Sequence, residues 1–167
     1  MKAVVVYESH WGNTAAIARA IAEGIGQGTL ALSTAEASGE AIAGADLIVA
    51  GAPVMGFRLP DEKMRENLRL DTGKTHAPPD LSHPSMRAWL AGLPKGKGRS
   101  AAFDTRVWWT LGGSTGAITR GLQAAGYPPI APQHKFIVTG AYGPLRPGEE
   151  ERARQWGEEL GRALGQG

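Results

Sequence analysis

The sequence contains no cysteine among its 167 residues. This absence excludes a disulfide scaffold, a thiolate metal site and an iron–sulfur cluster. At the N-terminus only five apolar residues separate Lys2 from Glu8, which is too short a run for a secretory signal peptide. Because cysteine-poor, disulfide-free chains are typical of reducing compartments, we expect a cytoplasmic protein.

Long apolar runs and strong charge are also missing. The longest apolar stretch lies at residues 47–54, which is too short to cross a bilayer as a helix. The formal net charge is only +2, and glutamates interrupt the larger of the two small basic clusters, at 95–99 and 146–154. A solvated surface explains this charge better than a nucleic-acid interface does. We therefore expect neither a membrane span nor a nucleic-acid partner.

Residue patterns for hydrolysis and metal binding are absent as well. The chain has no cysteine nucleophile and no G-x-S-x-G turn. Its four histidines are far apart and show no HExxH or other ligand spacing, so no metal site is expected. Asp104 could accept a phosphoryl group in a receiver-like domain, but such a domain needs an acidic pair after its first strand, where Glu8 stands alone.

Strand-like and helical patterns alternate along the chain. Alternation of this kind predicts an α/β fold with a parallel sheet and right-handed crossovers. The strand-like segments cover residues 2–8, 29–37, 45–54, 99–105 and 135–143, and the helical patterns cover 14–25, 61–70, 85–93, 115–125 and 148–164. The length fits one domain spanning 1–167, in which the proline-rich segment 58–98 is an elaborated crossover and not a second domain.

The loop between the first strand and the first helix is rich in small polar groups. Ser9 and Thr14 carry hydroxyls, Asn13 an amide and His10 an imidazole, while Gly12 lets the backbone approach a ligand closely. The free N–H groups at the helix start would complete a phosphate site at the carboxyl edge of the sheet. The loop fits neither GxxxxGK[ST] nor GxGxxG. The alternative is a simple helix cap by Asn13 or Ser9.

The stretch YESHWGNTAAIARAIAEGI resembles the phosphate-binding opening of the flavodoxin-like family, whose motif is [ST]-x-[ST]-G-x-T. Ser9, Gly12 and Thr14 match this motif, and Trp11 stands where the family usually has a hydroxyl residue. The stretches DLIVAGAPVMG, AAFDTR and FIVTGAYGPLRPGEEERARQWGEELG resemble later strands, loops and the last helix of the family, in the right order. The resemblance implies a doubly wound five-stranded parallel sheet of order 2-1-3-4-5 that holds FMN noncovalently.

The same resemblance implies which residues contact FMN. The phosphate would lie against Ser9, His10, Trp11, Gly12, Asn13 and Thr14. The ring would lie over the loops after the third and fourth strands, which supply Ala52, Pro53, Val54, Met55, Gly56 and Phe57, and Asp104, Thr105, Arg106, Val107, Trp108, Trp109 and Thr110. The tyrosine usual in the second of these loops is absent, so Trp108 and Trp109 are the aromatic candidates for stacking. The alternative is that both tryptophans pack on the 58–98 segment or at a subunit interface.

The function that the resemblance implies is electron transfer through bound FMN, with a redox partner protein or a small quinone-like acceptor. No residue is expected to act as an acid or base. One alternative is a flavin-dependent reductase or dehydrogenase of a quinone or porphyrinogen. Another is a binding or regulatory module that has lost FMN. A positive charge on Arg106 beside the ring would make the flavin potential less negative than in acidic flavodoxins. The alternative is that Arg106 points to solvent or pairs with Asp104.

Overall fold

A computed structural model describes residues 1–26, 28–71 and 76–165. The strands are β1 (Ala3–Tyr7), β2 (Leu30–Ser33), β3 (Leu47–Pro53), β4 (Arg99–Val107) and β5 (His134–Val138). The helices are α1 (Asn13–Ile25), α2 (Gly39–Ile42), α3 (Glu62–Leu70), α4 (Met86–Ala91), α5 (Thr115–Ala124) and α6 (Glu149–Gly165). Within these residues, no helix is both long and apolar enough to span a membrane.

The five strands form one parallel sheet in the order β2-β1-β3-β4-β5. This result confirms the fold class and the strand order predicted from the sequence. The register pairs Tyr7 with Gly51 and Pro53 with Thr105, so the loops after β1, β3 and β4 leave the sheet at the same edge. The loop after β5 joins them there, because Val107 pairs with Val138.

Alternate residues of the strands bury their side chains on opposite faces of the sheet, as a pleated strand requires. On one face, Val5 and Val49 pack with Phe103 beneath α1 and α6. On the other face, Val4 and Ile48 belong to the cluster that includes α4 and α5. Because both faces are covered, the central strands are almost entirely apolar, and polar groups collect at the loops beyond their carboxyl ends.

The 58–98 segment contains two short helices, in agreement with the sequence pattern. The Asp61 carboxylate accepts a hydrogen bond from the Met64 N–H at 2.8 Å and caps α3. The Ser85 hydroxyl accepts one from the Ala88 N–H at 3.1 Å and caps α4. These caps explain why both helices begin where they do despite the surrounding prolines.

Only the first half of the predicted fifth strand pairs with β4, and the pairing ends at Val138. Beyond it the chain leaves the sheet, and the Thr139 N–H donates to the Pro144 carbonyl at 2.9 Å.

Candidate functional site

A cleft of about 580 Å³ opens at the carboxyl edge of the sheet, and the loops after β1, β3, β4 and β5 form its walls. Most of the predicted cofactor-binding residues line it. They are Ser9, His10, Trp11, Asn13, Thr14, Pro53, Val54, Met55, Gly56, Thr105, Arg106 and Trp109, together with Phe57, Val107 and Thr110. A cleft of this size is typical of sites for small organic ligands.

Four of the predicted residues do not line the cleft. Ala52 is fully buried in the core, and Asp104 is fully buried at an ion pair. Gly12 is exposed at the start of α1, where its φ of +90° explains the need for glycine. Trp108 is 77% exposed and stays outside the cleft. The structure therefore separates the two adjacent tryptophans, and only Trp109 lies on the cleft wall.

The loop after β1 is organised by Ser9. Its hydroxyl oxygen accepts hydrogen bonds from the N–H groups of Gly12 at 3.1 Å and Ala15 at 3.2 Å, as the helix-cap alternative predicts. This cap satisfies only some of the backbone N–H groups at the start of α1. The N–H groups of Asn13 and Thr14 have no hydrogen-bond partner in the described part of the chain. Two unpaired N–H groups at the start of a helix form an anion site.

The hydroxyls of Thr14 and Thr105 lie 2.8 Å apart, and this contact joins the first loop to β4. Both side chains are almost completely buried. In such a pair one hydroxyl donates to the other, so one O–H remains free to donate to a ligand. Both threonines line the cleft together with the apolar side chains of Val54, Met55 and Trp109.

An aromatic cluster formed by Trp11, His76 and Tyr142 borders the cleft. The rings of His76 and Tyr142 stack at 3.9 Å between centroids, and Trp11 meets Tyr142 edge-on at 4.8 Å. The Trp11 indole N–H donates to the Ala77 carbonyl at 2.8 Å. Sequence analysis missed Tyr142 and the segment Thr139–Ala141, which also line the cleft. Tyr142 lay within the predicted fifth strand, 135–143, whereas the observed strand ends at Val138 and leaves Tyr142 in the loop beyond it.

Arg106 lines the cleft, but its charge is compensated. Its guanidinium donates to both Asp104 carboxylate oxygens, at 2.8 and 2.5 Å, and to the Gly112 carbonyl at 2.9 Å. Asp104 also accepts from the Ser114 N–H at 3.1 Å. The structure shows the alternative in which Arg106 pairs with Asp104. The effect of Arg106 on a flavin potential stays a prediction.

A buried polar cluster formed by Glu8, His10, Arg65 and His83 lies behind the loop after β1. The Glu8 carboxylate is fully buried and accepts from the Met86 N–H at 2.8 Å and from His10 Nε2 at 2.7 Å. Arg65 Nε lies 3.4 Å from the same carboxylate. The sequence singled out Glu8 only as an isolated acid, because two of its partners, Arg65 in α3 and the Met86 N–H at the start of α4, are distant in the chain.

His83 holds the other side of this loop. Its Nε2 accepts a hydrogen bond from the Ser9 N–H at 3.2 Å, so that nitrogen carries no proton. Burial lowers the pKa of His83 below its usual value, against the opposing effect of Asp80. The pKa of Asp80 is itself lowered by hydrogen bonds from the side chain and the backbone of Ser82. His83 is therefore a neutral acceptor in this site.

No family model matches the sequence, and no curated protein matches it. Among solved structures, a flavodoxin from the domain Archaea superposes with a TM-score of 0.67 at 19% identity, covering 99% of both chains. Flavodoxin 1 from Bacillus cereus gives a TM-score of 0.66 at 18% identity, covering 97% of this chain and 98% of its own. Rubredoxin oxygen:oxidoreductase from Desulfovibrio gigas gives 0.62 at 17% identity, with this chain spanning 36% of its length. With its strand order of β2-β1-β3-β4-β5, the protein has the flavodoxin-like fold.

Proposed function

We propose that the protein binds FMN noncovalently in the cleft and acts in electron transfer, with a redox partner protein or a small quinone-like molecule as acceptor. One observation carries the proposal. The cleft joins a helix start with two unpaired N–H groups to a wall of apolar and aromatic side chains. FMN has the matching shape, with a phosphate at one end and a flat apolar ring at the other. The similarity to solved flavodoxins supports the same assignment.

The residues present fit this cofactor. Its phosphate would be held by the N–H groups of Asn13 and Thr14, by the Ser9 hydroxyl and by the free O–H of the Thr14–Thr105 pair. Its ring would lie between residues of the loops after β3 and β4, where Met55 and Trp109 supply apolar surface. Bound FMN supplies reversible electron transfer, and the protein binds it, orients it and limits the access of water.

The direct test compares FMN with riboflavin, which lacks the phosphate. We expect the purified protein to bind FMN at least about tenfold more tightly than riboflavin, because hydrogen bonds to a charged group are worth about 1.5–3 kcal/mol. Titration followed by flavin fluorescence measures both affinities. Equal affinities would contradict the phosphate site, and no binding of either flavin would favour the module that has lost FMN.

A reductase acting on a quinone-like molecule is the second candidate. It is favoured by the exposed apolar side chains of Phe57, Trp108, Trp109 and Leu111, which lie in the loops after β3 and β4. An apolar substrate could reach the flavin ring across such a surface. Steady-state turnover with NAD(P)H and a quinone by the FMN-loaded protein would distinguish an enzyme from an electron carrier.

The two tryptophans provide a prediction with an internal control. We expect Trp109→Leu to weaken FMN binding about 2–10-fold and to increase the fluorescence of bound flavin, since aromatic stacking adds roughly 0.5–1.5 kcal/mol and an adjacent indole quenches the ring. Trp108→Leu removes the same surface from a neighbouring position outside the cleft and should change neither quantity. Identical behaviour of the two variants would rule out stacking by Trp109.

A further inference from the structure

The proposed phosphate site contains no lysine or arginine between Glu8 and Thr14. A phosphate monoester carries between about −1.5 and −2 charges at pH 7. Moving such an anion from water into a partly enclosed site is unfavourable unless charge and hydrogen bonds compensate for the lost hydration. N–H dipoles and hydroxyls supply hydrogen bonds but no full positive charge. The loop does contain one group that can become positive, the imidazole of His10.

His10 uses one ring nitrogen in a hydrogen bond and leaves the other without a partner among the described residues. Its side chain is 1% exposed, and Nε2 lies 2.7 Å from the Glu8 carboxylate. Because a carboxylate is an acceptor, Nε2 carries the hydrogen of this bond. The other nitrogen, Nδ1, is buried and has no hydrogen-bond partner among the described residues. A buried nitrogen left unpaired in the ligand-free structure has capacity for one more proton or bond.

The contacts of the groups around His10 fix the charge state of each group. Glu8 and Arg65 face each other as an ion pair at 3.4 Å. His83 is neutral, because its Nε2 accepts from the Ser9 N–H, and its ring stacks on that of His10 at 6.4 Å. Asp80, whose side chain is 61% exposed, lies 3.8 Å from His83 Nδ1 and acts on His10 only at longer range. His10 is therefore the member of the cluster whose charge can respond to a ligand.

We propose that His10 is the counter-ion of the bound phosphate and takes up one proton from solvent, at Nδ1, when a phosphate monoester enters the loop. This inference rests on the proposed function. Glu8 is the positioning residue, since it fixes the imidazole and stabilises its positive form. The proton balances part of the phosphate charge, so FMN binding is linked to pH. Riboflavin brings no charge and causes no uptake.

The test is titration calorimetry of the full-length protein at pH 8, where the free phosphate is fully ionised. Repeating the titration in two phosphate-free buffers of different ionisation enthalpy gives the number of protons exchanged on binding. We expect uptake of about one proton per FMN and none with riboflavin, with FMN affinity falling up to about tenfold per pH unit above pH 8. FMN binding without proton uptake by the parent protein would overturn the proposal, and this measurement requires no variant.

Two variants identify the site of uptake. His10→Gln should abolish it and weaken FMN binding about tenfold, with riboflavin binding unchanged. His134→Gln is the matched control, because His134 Nδ1 is also buried without a partner in the described chain but lies at the start of β5, away from the cleft. Uptake that persists in His10→Gln would overturn the assignment to His10. A lack of preference for FMN over riboflavin would instead contradict the proposed function itself.

Discussion

We expect Thr14→Val to weaken FMN binding by about 10–100-fold while leaving riboflavin binding almost unchanged. Valine keeps the shape of threonine but removes a hydroxyl that lies 2.8 Å from that of Thr105. The phosphate would then lose a donor, and a hydrogen bond to a charged group is worth about 1.5–3 kcal/mol. The loss of the Thr14–Thr105 contact affects both ligands equally, so the ratio of the two affinities isolates the phosphate term.

Thr119→Val is the matched control for this prediction. Thr119 lies in the middle of α5 and does not line the cleft. Its hydroxyl accepts a hydrogen bond from the Gln133 side chain. The Thr119→Val variant should bind both flavins with the affinities of the parent protein. If Thr14→Val reduced FMN and riboflavin affinity by the same factor, the first loop would shape the cleft without binding a phosphate.

Glu149→Gln should lower the free energy of unfolding by about 2–3 kcal/mol at pH 7, because one pKa unit corresponds to about 1.4 kcal/mol and solvent screens the partly exposed arginine partners. Burial alone would raise the pKa of Glu149, but hydrogen bonds from Arg152, from the Ile137 N–H and from Arg146 outweigh it and lower the pKa from 4.5 to about 2. A carboxylate whose pKa is depressed on folding contributes stability above its unfolded value, and that contribution is lost as the pH falls. The window for Glu149 therefore runs from pH 4.5 down to about 2.

Denaturant unfolding at a series of pH values tests this expectation. The difference between the parent and Glu149→Gln should be largest at neutral pH and should shrink through the acid window. Glu151→Gln is the matched control from the same helical turn. Glu151 is exposed, and within the described residues it pairs only with other α6 side chains, Arg154 and Gln155. A surface pair of this kind contributes little. A parental free energy of unfolding for Glu149→Gln at pH 7 would show that the ion pairs and hydrogen bonds of Glu149 add nothing.

The parallel sheet was predictable from the alternating strand and helix patterns, and its strand order from the resemblance to the flavodoxin-like family. The polar loop after β1 was also predictable, since its residue types and its place at a strand end both indicate a site. The pairing of Arg106 with Asp104 could have been predicted more firmly, because residues two apart on a strand share a face.

Other parts of the site could not be predicted from the sequence. Trp108 and Trp109 are adjacent and chemically identical, and only the turn that ends β4 decides which one lies on the cleft wall. Arg65 reaches Glu8 across a separation of 57 positions, so its role depends on how α3 packs against the sheet. Local patterns carry no information about such contacts, which arise from tertiary packing.

One backbone contact makes the motion of the first loop observable without any flavin signal. The Asp80 N–H donates to the His10 carbonyl at 2.7 Å, so the segment before α4 is fastened directly to the loop. Hydrogen exchange at the Asp80 amide requires these two segments to separate. A ligand that binds only the closed arrangement slows this exchange by a factor that grows with its concentration. Asp80 thus serves as a natural reporter of local opening, even for colourless phosphate esters.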